Sequence, residues 1–149
     1  ADMEWDTLNH AADIELSSNC LTATKTASNT PSTVRGTILY AGTGCHEYHV
    51  ILDTLGPDGV WVGVAPPSMN PFDIVGDPGC GWALHSDGDK RFDGREEEFT
   101  QAFKSGDVLT VCVDMGKGVL RFSRNGQPLG EAFTGLSAPL VAAITLASE

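Results

Sequence analysis

The sequence predicts an all-β domain built as a sandwich of two antiparallel sheets, and three observations lead to that expectation. Short runs of β-branched and aromatic residues recur along the chain, turn-forming residues separate most of them, and 17 glycines and 8 prolines are spread over the whole 149-residue length. Branched and aromatic side chains suit a pleated, half-buried surface, whereas Gly and Pro punctuate it with turns. A hydrophobic fraction of 41% is that of a globular chain with one continuous core, and the length suits one domain, so residues 1–149 are expected to form a single unit without an internal boundary.

Taken in order, Asp13–Leu16 and Leu21–Thr24 are expected to be short N-terminal strands. Tyr48–Asp53 and Val60–Val64 are expected to pair with each other, because Gly56-Pro-Asp-Gly59 between them has the residue types of a turn. Trp82–Ser86 runs into Asp87-Gly88 and returns through Arg91 and Phe92, and residues 94–103 are expected to form one helical turn. Val108–Asp114 and Val119–Arg124 flank a Met115-Gly-Lys-Gly118 turn, and Asn125-Gly126 then supplies the two positive-φ residues of a type I′ hairpin turn. In Val119–Arg124, alternation sends Leu120 and Phe122 to one face and Arg121 and Ser123 to the other, while Val108–Asp114 reads as apolar on both faces with Cys112 a small core residue. Leu140–Leu146 closes the series, for about nine or ten strands in all.

Composition narrows the function. Twenty acidic residues against nine basic ones give a formal charge of −11, which repels a phosphate backbone unless the cations gather in a patch. Lys25, Arg35, Lys90, Arg91, Lys104, Lys117 and Arg124 are scattered in sequence, so no nucleic-acid partner is expected and a neutral or basic protein segment is the better electrostatic match. No apolar run approaches the ~20 residues of a membrane helix, and no membrane role is expected. Cys20, Cys45, Cys80 and Cys112 have neither paired spacings nor the density of a disulfide scaffold; free thiols and an intracellular setting, cytoplasmic or nuclear, are expected.

Several motifs now converge. Gly63-Val-Ala65 after a Trp-bearing strand, Gly81-Trp-Ala-Leu-His-Ser-Asp-Gly88, Phe103-Lys-Ser-Gly-Asp-Val108, Asp114-Met-Gly-Lys-Gly-Val-Leu-Arg-Phe122 and Ser123-Arg-Asn-Gly126 resemble, in order and spacing, the core motifs of SPRY domains. Leu129-Gly-Glu-Ala-Phe133 with Pro139-Leu140 ends the series; the core motifs cover 34–146, and strands within 13–24 resemble the family's N-terminal ones. The resemblance implies a bent, lectin-like β-sandwich, no cofactor, and a shallow surface of loops at one end that binds a protein or peptide. The chain departs from the pattern at Gly44-Cys-His-Glu-Tyr-His-Val50, where the family usually has Gly-Lys-His-Tyr-Trp-Glu-Val. In ligase-adaptor SPRY domains the peptide pocket combines an Arg, a Pro, a Tyr and a Trp. The matching places here hold Thr24, Thr26, Phe72 nearby, and the Trp-less Ala147-Ser148, so that peptide specificity does not carry over.

Catalytic and metal chemistry fail on spacing. Glycosidases need two carboxylates about 5–9.5 Å apart, whereas Glu47 and Asp53 lie roughly 20 Å apart on an extended strand. His46 and His49 fall on opposite strand faces and cannot share a metal, leaving Glu47 with His49 as a solvated edge. Asp87, Asp89 and Asp93 lack the acid or amide and the Gly that a calcium loop requires at its fifth and sixth positions, held here by Arg91 and Phe92. No catalytic residue, metal or cofactor is expected.

The stretch Ala65–Gly79 sets Met69, Phe72 and Ile74 among prolines, which lower the entropy lost when a loop is fixed. The candidate partner site is therefore Met69, Asn70 and Phe72 on this loop, flanked by Lys25, Thr26 and Ser28 ahead of Val34. The alternative is that Phe72 and Ile74 fold inward and cap the sandwich. Trp61 and Trp82 are expected in the core. The expected function is a protein–protein interaction module within a larger protein, monomeric when isolated. An architectural domain making contacts inside a large assembly is the second reading, and carbohydrate binding a distant third.

Overall fold

The computed structural model describes residues 5–10, 14–18, 22–25, 31–42, 44–53, 55, 58–70 and 72–147, with the side chains of 6–10 and 25 set aside. Among these residues the regular structure is strand alone: β1 (Trp5–His10), β2 (Ile14–Leu16), β3 (Ala23–Lys25), β4 (Ser32–Tyr40), β5 (Cys45–Ile51), β6 (Val60–Ala65), β7 (Trp82–His85), β8 (Asp89–Phe92), β9 (Arg95–Glu98), β10 (Val108–Asp114), β11 (Val119–Arg124), β12 (Gln127–Phe133) and β13 (Leu140–Leu146). They form a seven-stranded sheet in the order β1-β4-β13-β6-β7-β8-β9, a four-stranded sheet in the order β12-β11-β10-β5, and the small β2-β3 pair. Every pairing is antiparallel.

Period-two alternation explains how the sheets meet. β6 turns Val60, Val62 and Val64 inward, β13 turns Leu140, Ala142 and Ile144, and the opposing sheet answers with Leu109, Val111, Val113, Leu120 and Phe122, all in one buried cluster. Tyr48 joins the layers: its buried hydroxyl donates to the Gly63 carbonyl of the other sheet. Burial pushes the Tyr48 phenol well above its ordinary pKa, so it remains a donor. The hairpin turn is as expected, with Asn125 at φ 49° and Gly126 at φ 82°.

Three local expectations are corrected. β5 and β6 are not partners: β5 pairs with β10, and β6 with β13 and β7, so the connection between them crosses from one sheet to the other. Turn-type residues mark a reversal but do not say which sheet receives the next strand. Residues 94–103 contain strand β9, not a helical turn. Asp93 and Gly94 adopt positive φ, which closes a two-residue hairpin, and Lys90 and Arg91 stand opposite Glu97 and Glu96, so charge complementarity across the ladder favours the strand. Cys112 is half-buried, outside the core: β10 alternates, and Cys112 shares its outer face with Thr110, between Glu47 and Arg121 on the neighbouring strands. Burial and the nearby Glu47 carboxylate push its thiol pKa up.

Candidate protein-binding site

The outer face of the seven-stranded sheet is covered by the segment that follows β6. Its backbone makes a run of tight turns: Met69 N–H to the Pro66 carbonyl at 3.0 Å, Asp73 N–H to Asn70 at 3.0 Å, Asp77 N–H to Ile74 at 3.0 Å and Cys80 N–H to Asp77 at 2.8 Å. Met69, Val75 and Cys80 turn down onto Ala65, Ala83 and Ala143 as a second buried cluster, with Trp61 at its margin. Small outward side chains on β6, β7 and β13 leave the room that this loop fills. Gly81 is required at the return, because a Cβ there would stand 1.9 Å from the Val64 carbonyl oxygen.

Polar groups beneath the loop fix it in place. The Thr33 hydroxyl donates to the Asp73 carbonyl at 2.6 Å, which commits its one proton. Thr145 therefore donates to Thr33 across 2.7 Å and accepts the Val75 N–H at 2.9 Å. This chain of hydrogen bonds ties the start of β4, the end of β13 and the loop together. Arg91 reaches across to Asp77 at 2.6 Å, and the same guanidinium holds Glu96 at 2.6 Å. Burial alone disfavours the Arg91 charge, but the two carboxylates outweigh it and raise the pKa. Burial, with Asp73 and Asp77 close by, pushes the Cys80 thiol up, so it stays protonated beneath the loop and aims at Asp73 from 3.9 Å.

The three candidate residues of this loop have different fates. Met69 is 5% exposed and belongs to the small core, so it supports the loop from below and is not available at the surface. Asn70 is exposed, and its side-chain oxygen accepts the Phe72 N–H at 2.9 Å, an Asx turn that sets the direction of Phe72. Phe72 is 68% exposed, more than Leu39, Ile51 or Phe92, the other exposed large apolar side chains among the described residues. It does not cap the sandwich; Ile74 is half-buried. Lys25 is in β3, opposite Ile14, while Thr26 and Ser28 lie outside the described residues. The segment they lead into reaches the loop through Thr33. Sequence reasoning missed Thr33, Asp77, Arg91 and Thr145, whose polar character gave no sign that a loop would bury or pair them.

Elsewhere, Trp82 is buried and its ring stacks on Phe92 with centroids 5.4 Å apart, whereas Trp61 is half-buried on the outer face. His46 stacks on Tyr40 at 4.9 Å, while His49 points the other way to Glu47 at 3.3 Å and to Thr110 at 2.7 Å. Among the described residues no three His, Cys, Asp or Glu side chains gather closely enough to hold a metal ion, and no helix is long and apolar enough to cross a membrane.

These features define a two-sheet antiparallel sandwich whose most exposed aromatic is held out on a packed loop. The chain belongs to the SPRY domain family, whose sequence profile matches residues 45–149. The solved SPRY domain of human HERC1 is similar with a TM-score of 0.77 at 19% identity, covering 97% of this chain and 90% of that one. The PSpry domain of TRIM65 gives a TM-score of 0.77 at 18% identity, covering 98% and 85%. In sequence, the E3 ubiquitin-protein ligase RKP of Arabidopsis thaliana is 32% identical over 90 residues, which is 60% of this chain and 7% of that protein. SPRY domains generally serve as protein-interaction modules and are typically not catalytic.

Proposed function

We propose that this chain acts as one recognition unit of a larger protein, holding a protein or peptide partner against the 66–80 loop with Phe72 as the apolar anchor and Asn70 beside it. One observation carries the reading: a phenylalanine 68% exposed at the tip of a loop that is otherwise packed and hydrogen-bonded. An exposed aromatic on a fixed base is the arrangement that concentrates interface energy, because little freedom is lost when it docks. The small share of the RKP ligase that the chain matches supports a part played within a larger protein, and delivery of a bound protein for ubiquitin transfer is the specific role we favour. Free thiols at Cys45, Cys80 and Cys112 fit a reducing intracellular compartment. The test is Phe72→Ala, read by melting and by partner capture on the same variant.

A further inference from the structure

A second surface, separate from the Phe72 tip, has the chemistry of a cation site. Trp61 and His85 stand opposite each other on β6 and β7, on the outer face where the loop stops covering the sheet, with ring centroids 4.3 Å apart. They line an open cleft of about 390 Å³ together with Asp58, Asp87 and Glu96; no lysine or arginine lines it among the described residues.

The cleft is built rather than accidental. His85 Nε2 lies 3.0 Å from the Asp58 carbonyl, while Nδ1 lies 3.1 Å from the Asp87 N–H and 3.0 Å from the Asp87 carboxylate, so contacts at both nitrogens fix the ring. Gly59, at φ +72°, lets the 58–59 backbone close over this ring. A Cβ there would fall 2.2 Å from Ser86 Oγ and 3.0 Å from His85 Cε1. The Asp87 carboxyl is held below its usual pKa. Burial opposes this, but the Asp89 N–H at 2.9 Å and His85 outweigh it. Asp87 and Glu96 keep 53% and 43% of their side-chain surface open, and a carboxylate already holding one donor has lone pairs left for another.

The occupant follows by elimination. Carboxylates on the rim repel phosphates and other anions. A transition metal finds no ligand set: His85 Nε2 is engaged by the Asp58 carbonyl and Nδ1 by Asp87, and no three metal-ligating side chains gather here among the described residues. An organic cation meets both features, with the aromatic face for its plane and the carboxylates for its N–H groups. A guanidinium suits them better than an ammonium, because it is flat, weakly hydrated and carries donors in its own plane. We propose that the Trp61–His85 cleft binds an arginine side chain presented by a protein partner. The chain's charge of −11 draws basic segments toward it, and one guanidinium, Arg91, links Glu96 on the cleft rim to Asp77 on the Phe72 loop. The cleft does not require that Phe72 be an anchor.

The probe is N-acetyl-arginine amide, titrated into the 149-residue chain while the indole N–H resonance of Trp61, identified with Trp61→Phe, is followed by NMR. The expected result is a saturable shift of that resonance, absent with N-acetyl-citrulline amide, which keeps the shape and removes the charge. Asp87→Asn with Glu96→Gln should abolish saturation, and Trp61→Leu, which lacks the indole and is followed through the His85 ring resonances, should weaken binding about two- to fivefold, the range for a surface cation–π contact. The double variant changes two exposed side chains, so it keeps the test valid if Trp61→Leu fails to fold. Equal shifts with citrulline, unchanged binding by the double variant, or shifts confined to other residues would each overturn the proposal.

Discussion

Phe72→Ala separates folding from binding because the two depend on different parts of one side chain. About two-thirds of Phe72 is open to solvent, at 68%. Burying a whole phenylalanine contributes about 1.5–3 kcal/mol, so a partner that covers the exposed part gains about 1–2 kcal/mol from area alone. That corresponds to a five- to thirtyfold loss of affinity on truncation, with about 2 kcal/mol or more if the residue is a true anchor. The covered third contributes at most about 1 kcal/mol to folding, a melting shift of roughly 2–4 °C for a chain of this size. The assay is paired: thermal melting of both proteins, then quantitative capture of partners from extract by each immobilised chain. A near-normal melt with strongly reduced capture is expected. A melting temperature lowered by more than about 10 °C with capture intact would refute the reasoning and return Phe72 to a structural role.

Other outcomes follow from the interior. Phe122→Ala removes a ring that is 1% exposed at the centre of the main cluster and should cost about 3–5 kcal/mol, seen as a fall of about 6–20 °C in Tm. Gly63→Ala would set a Cβ 1.9 Å from the Trp82 carbonyl oxygen and 2.8 Å from Ala83 Cα; because backbone cannot rotate away, we expect about 3 kcal/mol, the upper end for overpacking, read by denaturant titration. The Asp107 carboxyl is held below its usual pKa by the Lys104 N–H, then by the Asn125 side chain. Its stabilising contribution is therefore complete above the unfolded value, near 3.8, and is lost as pH falls through the lower folded value. Asp107→Asn should flatten the decline of Tm in that acid window; an unchanged slope would show that the carboxylate contributes nothing.

What could be read from the sequence depended on whether a strand faced water on one side. In the middle of β11 Leu120 and Phe122 are buried while Arg121 and Ser123 are half-open, and its hairpin with β12 was legible from Asn125-Gly126. β4 was not legible as a strand; the family resemblance only set the start of the core motifs at residue 34. Its first five residues are all buried, and Ser32, Thr33 and Arg35 among them are polar; with the loop lying over its outer face, no alternation survives. The exchange of partners between β5 and β6 was hidden for another reason: alternation assigns faces, while pairing is decided by strands that lie far along the chain, β10 and β13. At the site, the sequence left open whether Phe72 faces solvent or folds inward, and the Asx turn at Asn70 that sets its direction was not foreseen. The burial of Met69 depended on small residues at Ala83 and Ala143, distant in sequence, that leave a hollow for it.

The loop over the outer sheet divides its residues between two duties. Met69, Val75 and Cys80 face the sheet and answer to packing, whereas Phe72 faces solvent, held in that direction by the Asn70 side chain. On the proposed reading, substitution of Phe72 would change what is recognised without loosening the base, and substitution at the inward positions would change stability before selectivity. A scaffold arranged this way can be retargeted one tip residue at a time, with its melting temperature nearly constant while its partner changes.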